Sequence, residues 1–225
     1  MSYTLHYFGL PGRAEVARLL CHTAPKKIAW VDKRHDFASW NETKASLKPT
    51  FGQLPCLALP DGAGSLAQSS AIDRYLAVKT GAEPKDEFAW ARSDETYAFM
   101  EDVFQTLAPS LRMADEAQKI EAREAACAGP LREKLEMLDA HLAKLGGAAW
   151  FSGLDFPSYA DYSCWHWLCV LRSEWLEGVP GDVWAKYPAI VAFHARVTAL
   201  PGVVSWLALS ENQDSLRQKG AAPVA

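Results

Sequence analysis

Hydrophobic positions change their period several times in the first third of the chain. From Tyr3 to Phe8 apolar and polar residues alternate loosely and include aromatics, which predicts a strand. Gly9-Leu10-Pro11-Gly12 breaks it. Ala14, Val16, Ala17, Leu19 and Leu20 then recur at helical spacing, predicting a helix over 13–21. Ile28 to Val31 reads as a second short strand. Phe37 to Leu47 reads as a helix, with Phe37, Trp40 and Leu47 as its inward-facing candidates. Leu54, Cys56, Leu57 and Leu59 form a third strand, Asp61-Gly62 a hairpin turn, and Ser65 to Ala67 the return strand. Ala71, Ile72, Tyr75, Leu76 and Val78 mark a helix over 69–79. A βαβ unit followed by a hairpin and a helix predicts a compact α/β domain of the thioredoxin type over 1–80.

Beyond a linker at 81–86 the strand signals stop, so an all-α domain is expected over 87–209. Glu87 to Met113 is a long helical pattern, kinked or ended by Pro109. Lys119 to Leu145 is another, ended by Gly146-Gly147. Ser158-Tyr-Ala-Asp161 is a capping box in its carboxylate form. The run after it, Tyr162 to Trp175, is apolar on most sides and predicts a central buried helix. Two shorter helices are expected over 184–200 and 201–209. Residues 210–225 are small and polar and should fray as a tail.

Proline at position 55 cannot donate to a ladder where it sits. An edge-strand proline is its plain reading. A cis bond is the other, and it would turn neighbouring backbone groups outward, where an extended peptide could pair as an added strand. A net charge of −4 disfavours nucleic acid as the main partner. No apolar run approaches a membrane span, and the first residues lack the basic start and long apolar run of a signal peptide. Five cysteines, an odd number with no Cys-x-x-Cys pair, read as reduced thiols of a cytoplasmic protein. His6, His22, His35, His141, His166 and His194 show no metal-ligand spacing, so no metal is expected.

Several short pieces occur in a particular order: Tyr7-Phe8 ending the first strand, Gly12-Arg13-Ala14-Glu15 opening the first helix, and Trp40 with Lys44. Phe51-Gly-Gln-Leu-Pro55, Gln68-Ser69-x-Ala71-Ile72-x-Arg74-Tyr75-Leu76 and Ser158-x-x-Asp161 follow. With these pieces the chain resembles the cytosolic glutathione transferases over nearly its whole length. The tyrosine-type classes, sigma or its pi, mu and alpha relatives, are the nearest match.

The resemblance implies a site. Glutathione carries two carboxylates, an amino group and a thiol that is a poor nucleophile until ionised. A donor to the sulfur favours the thiolate. Tyr7 is the candidate donor, and Arg13 either lends positive charge to the thiolate or pairs with Glu15 or another surface carboxylate. A tyrosine packed at a sheet edge is the bland alternative for Tyr7. Trp40 and Lys44, four apart on one helix face, match residues that reach the glycine carboxylate. Gln53, Leu54 and a cis Pro55 match the backbone partners of the cysteinyl part. Gln68 and Ser69, at a helix start that favours anions, match the γ-glutamyl carboxylate site, and Ser69 is also an N-cap candidate. Asp102, supplied by the neighbouring subunit, matches the partner of the amino group, and Phe51 matches a dimer key. The second substrate would meet Phe8, Leu10, Phe104 and Leu107, an apolar set.

The implied function is transfer of the glutathione thiolate to small hydrophobic electrophiles, as in detoxification, by a cytoplasmic homodimer using glutathione as co-substrate. A glutathione-dependent isomerase of the prostaglandin D synthase kind is a narrower alternative. A non-catalytic S-crystallin-like structural or ligand-binding protein is an alternative of another class.

Overall fold

The computed structural model describes residues 2–147 and 149–223, and the chain divides into two compact units, 1–83 and 84–225. The first unit is a four-stranded sheet in the order β2-β1-β3-β4. β1 (Tyr3–Phe8) and β2 (Trp30–His35) pair in parallel. β3 (Cys56–Ala58) pairs antiparallel with both β1 and β4 (Ser65–Ala67). A parallel pair needs a crossover, and α1 (Glu15–Thr23) provides it. α1 packs against α3 (Ser69–Thr80). Leu5 and Leu57 from the strands meet Leu19, Leu20, Ile72 and Leu76 as a core exposed by 1% or less.

β2 starts and ends later than the hydrophobic pattern predicts. Its sequence Trp-Val-Asp-Lys-Arg-His is half polar, and backbone pairing with β1, residue by residue from Tyr3 to Phe8, sets its extent. α2 (Trp40–Leu47) starts three residues late and buries no residue fully. Phe37, expected inside, is two-thirds exposed and lies flat on Phe8, ring centroids 4.1 Å apart. α3 ends at Gly81, whose φ of 69° suits glycine, and the Ala82 N–H closes the helix on the Ala77 carbonyl at 2.8 Å.

The second unit is helical. α4 (Glu87–Gln105) is capped by Asp86, whose side chain accepts from the Ala89 N–H. It ends before Pro109 rather than bending through it, and one 3₁₀ segment, Ala108–Arg112, follows. The single helix expected over 119–145 is two: α5 (Glu116–Ala128) and α6 (Pro130–Leu145). Gly129 separates them and Pro130 opens the second, where its missing donor costs nothing.

α7 (Tyr159–Arg172) is the central helix, with all but Trp167 and Arg172 buried. Its capping box is complete. The Ser158 oxygen accepts from the Ala160 N–H, and the Asp161 carboxylate accepts from the Ser158 N–H and hydroxyl, each at 2.8 Å, and from the Phe151 N–H. Complete burial pushes the Asp161 carboxyl up to about 6 against the pull of these donors. α7 stops at Arg172, so Trp175, expected within it, is half exposed instead. α8 (Pro188–Thr198) and α9 (Pro201–Leu207) each begin at a proline. Residues before a proline avoid helical angles, and Tyr187 and Leu200 are extended, so the helix expected from Trp184 starts four residues later.

The segment after Ser210 does not fray over its described part. α10 (Ser215–Ala221) packs on α7. Gly220 lies so close to Cys169 that an added Cβ would fall 2.6 Å from its carbonyl oxygen. His194 meets the Gly220 carbonyl at 3.0 Å, and Arg172 binds the carbonyls of Ala222 and Pro223. The five cysteines form no disulfide. Among the described residues no single helix is long and apolar enough to cross a membrane.

Candidate active site

The site begins where β1 runs out. Tyr7 is the second-to-last residue of the strand and is 8% exposed. Its hydroxyl accepts a hydrogen bond from the Arg13 N–H at 3.1 Å. The acceptor role is thereby taken, and the hydroxyl's own proton remains for another partner. Burial raises the phenol's pKa, while the Arg13 amide and the charges of Arg13 and Arg18 pull against that rise. The group stays protonated at neutral pH, as a donor must.

Gly12 makes this approach possible. Its φ is +42°, and a Cβ there would lie 2.6 Å from the Tyr7 hydroxyl oxygen. Neither the backbone angle nor the space accepts a side chain. We expect Gly12→Ala to lower turnover by about tenfold or more through displacement of the hydroxyl, a strain of ~1–3 kcal/mol. Initial-rate kinetics check this, with circular dichroism to show that the fold survives.

Arg18 holds the whole turn and was not among the residues singled out from the sequence. It is fully buried. Its Nε binds both oxygens of Asp32 at 3.0 and 3.2 Å, Nη1 donates to the Leu10 carbonyl at 2.7 Å, and Nη2 donates to the Phe8 carbonyl at 2.9 Å. Glu15 lies 3.5 Å away and Arg34 reaches the same Asp32 at 2.7 Å. One guanidinium thus satisfies the carbonyls of the loop between β1 and α1, a region that no sheet ladder serves. The signal was an arginine lying on the apolar stripe of an otherwise buried helix, three residues after Glu15.

The Leu54–Pro55 bond is cis, which decides between the two sequence readings of that proline. Gln53, Leu54 and Pro55 line a cavity of about 260 Å³ together with Arg13, Gln68 and Ser69. Gln68 takes φ 71°, ψ 115°, a region that residues with a Cβ rarely adopt. Such a conformation persists only where its surroundings impose it, and it is common at binding sites. Gln68 is itself the N-cap of α3, so Ser69 is the first helical residue and not the cap. No side chain caps this helix start, leaving its first turn facing the cavity side with its amides and positive dipole end.

Trp40 is half-buried, its ring edge-on to Phe8 at 5.7 Å. Lys44 is exposed, and its stem passes over Gly52, whose absent Cβ would meet Lys44 Cε at 2.9 Å. Gly52 thus clears the path of that lysine. Phe51 is 63% exposed. Leu10 and Phe8 are half-buried in the same unit.

Three candidates belong to the second unit. Asp102 is exposed on α4 and pairs with Lys134 of α6 at 3.1 Å. Phe104 stacks on Trp167 with centroids 4.3 Å apart, and Leu107 is 1% exposed. Among the described residues no cluster of three or more histidine, cysteine or carboxylate side chains is arranged to hold a metal.

The first unit thus combines a four-stranded sheet, a buried tyrosine hydroxyl near the end of its first strand, a cis Leu54–Pro55 bond and an uncapped start of α3. Residues 101–210 match the family described as glutathione S-transferase, C-terminal domain. The chain is 31% identical to hematopoietic prostaglandin D synthase of Rattus norvegicus, over 92% of this chain and 95% of that one. It is 29% identical to S-crystallin 3 of Enteroctopus dofleini, with the same coverage. Among solved structures, prostaglandin synthase D of Nilaparvata lugens superposes with a TM-score of 0.78 at 25% identity, over 92% of this chain and 97% of that one. The glutathione S-transferase of Ascaris lumbricoides gives 0.74 at 28%, with the same coverage. The chain belongs to the glutathione S-transferase family.

Proposed function

We propose that the protein binds glutathione along the cavity beside Pro55, ionises its thiol, and transfers the thiolate to small hydrophobic electrophiles. The observation that carries this is the Tyr7 hydroxyl: buried, protonated, its acceptor side occupied by the Arg13 N–H and its proton unspent. A thiolate accepting that proton is stabilised relative to the thiol, and the Arg13 and Arg18 charges act in the same direction. Arg13 thereby has two roles, a backbone donor to the tyrosine and a cation near the sulfur.

The remaining groups fit an extended tripeptide. The backbone of Leu54 takes the cysteinyl part, next to Gln53 and Pro55. The first turn of α3, at Gln68 and Ser69, takes the γ-glutamyl carboxylate on its amides. Trp40 and Lys44 take the glycine carboxylate with an indole N–H and an ammonium. Asp102 of a second copy takes the amino group. Its pairing with Lys134 is exposed, and such pairs contribute only ~0–1 kcal/mol, so an incoming ammonium displaces Lys134 at little cost. On this reading the working form is a cytoplasmic homodimer with Phe51 in its interface. Phe8 and Leu10 supply apolar surface next to Tyr7 for the electrophile.

The prostaglandin D synthases among the relatives support a second reading, isomerisation by the same thiolate. The test of the shared chemistry is the ultraviolet absorbance of bound thiolate across pH. We expect the bound thiol to ionise at least one unit below its value in free solution. A bound thiol of unchanged acidity, or no binding, refutes both enzymatic readings and favours the S-crystallin-like one.

A further inference from the structure

A second cavity, of about 570 Å³, lies in the first unit and takes no part in the site described above. His6, Lys33, His35 and Asp36 face it from β1, β2 and the loop beyond. Ser39, Thr43 and Ser46 face it from α2 and the residue before it, spaced by four and three, so they form one hydroxyl stripe. Trp40 and Lys44 lie on a neighbouring face of the same helix, toward Phe8 and Gly52.

The two histidines are 29 residues apart in sequence, which hid their relation. β1 and β2 run in parallel with His6 opposite Lys33 and Phe8 opposite His35, which brings the two rings together. His6 Nδ1 and His35 Nε2 are 3.0 Å apart, with the ring planes 9° from parallel and the centroids 5.3 Å apart. That separation is the N···N distance plus the two ring radii, so the rings lie edge to edge in one plane. A single N–H···N bond joins them. The gap has room for a proton and none for a metal ion.

Proton counting then fixes what the pair can do. In the neutral pair one proton bridges the inner nitrogens. Of the outer two nitrogens, His6 Nε2 and His35 Nδ1, one carries a proton and the other a lone pair, whichever ring donates. Adding one proton turns both outer nitrogens into donors and gives the pair a single positive charge. Burial is the main cause that holds both imidazoles below their ordinary pKa; His35 and then Lys33 lower His6 further, and Lys33 lowers His35 while Asp36 pulls His35 back up. The groups facing the pair are Lys33, Arg34 and Asp36 from β2 and its end. Asp32 engages Arg34, and α2 presents hydroxyls there, not charges. Because the inner nitrogens bond each other, the two outer nitrogens sit at opposite ends of the pair. An anion in this cavity would meet Lys33, the outer N–H of one imidazole and hydroxyls, with Asp36 also in the lining.

We propose that the cavity under α2 is a binding site for a tetrahedral oxyanion, free or as an ester, and that the His6–His35 pair admits it by taking up one proton. The anion adds to the compensating charge that Asp36 offers the protonated pair. Sulfate is the suitable probe, because its own charge does not change across the histidine range.

The experiment is calorimetric titration of the full chain with sulfate at several pH values, with histidine ring resonances followed by NMR. Sulfate should shift the His6 and His35 signals and raise their pKa. Its association constant should rise by up to about tenfold per unit as pH falls from about 7.5 to 5.5, the slope of one proton. His35→Gln should flatten that slope, and Lys33→Ala should weaken sulfate at every pH. Both variants should keep the native rate of glutathione turnover, which separates this site from the one at Tyr7. Phenyl sulfate binding tighter than sulfate would assign the cavity to an ester, and weaker binding to the free ion. Sulfate acting no differently from chloride at equal ionic strength, or binding with no pH dependence, would overturn the proposal.

Discussion

Replacing Tyr7 with phenylalanine should leave glutathione bound but its thiol largely un-ionised at neutral pH. The ring packs at 8% exposure and its loss of one oxygen leaves the surrounding contacts in place. What disappears is a donor to a charged sulfur. Hydrogen bonds to charged groups contribute about 1.5–3 kcal/mol, which is roughly one to two units in the thiol pKa. The rate at pH 7 should therefore fall on the order of 10–100-fold, and the pH–rate profile should move up by the same one to two units. The sign follows from the direction of the native effect. A thiol whose pKa is lowered on binding is active above that pKa, so removing the cause moves the rise in rate to higher pH. Glutathione affinity should change little, since the carboxylate and backbone contacts do not involve the hydroxyl. The variant also loses the acceptor for the Arg13 N–H, so Gly12 and Arg13 gain freedom. Native activity in Tyr7→Phe would remove the tyrosine from the chemistry.

Arg18→Met should be the most destabilising single change in the first unit. Methionine fills much of the space but satisfies none of the groups that the guanidinium holds. The Phe8 and Leu10 carbonyls lose their donor, and Glu15, 1% exposed, loses its nearby cation. Asp32 keeps Arg34. Breaking one partner of a buried ionic network costs about 3–5 kcal/mol, because the groups left behind are uncompensated. In a chain of this size that corresponds to a fall of about 6–20 °C in the unfolding temperature of the affected unit. Arg18→Lys should recover only part of the loss, since an ammonium cannot span Asp32 and two carbonyls at once. Thermal unfolding followed by circular dichroism measures both. Activity should fall with stability, because the tethered loop carries Gly12 and Arg13. A change below about 1 kcal/mol for Arg18→Met would mean that water replaces the guanidinium and that the loop is held by other means.

The oxyanion cavity and the thiolate site use one helix in two ways. One face of α2 carries Trp40 and Lys44, and a neighbouring face carries Thr43 and Ser46, with Ser39 just before the helix. α2 has no fully buried residue and is held by its edges rather than by a core. Helices with few buried contacts open locally at low cost. Groups that grip either face therefore also order the helix.

What the amino-acid order settled unaided was everything that depends on neighbours along the chain. Tyr3–Phe8 and Ser65–Ala67 emerged with their observed bounds, because alternation and turn chemistry act over a few residues. Ser158 and Asp161 announced a helix start in the same way, and the family motifs singled out Tyr7, Pro55 and Gln68. Prolines at 130 and 188 act just as locally on helix starts, yet the hydrophobic pattern ran a single helix through each, and the structure corrected both. Relations between distant segments required the folded chain. The span of β2 follows from the partner strand that satisfies its backbone. The tail at α10 is ordered because Gly220 fits against Cys169, and no periodicity in a polar segment signals such a fit. Arg18 looks like an ordinary helix arginine until the carbonyls of Phe8 and Leu10 arrive beside it. His6 and His35 become a pair only through the parallel register of β1 and β2. In each case the deciding quantity is a hydrogen bond or a close approach across the sequence. Its partner is chosen by three-dimensional packing, so no window of consecutive residues contains it.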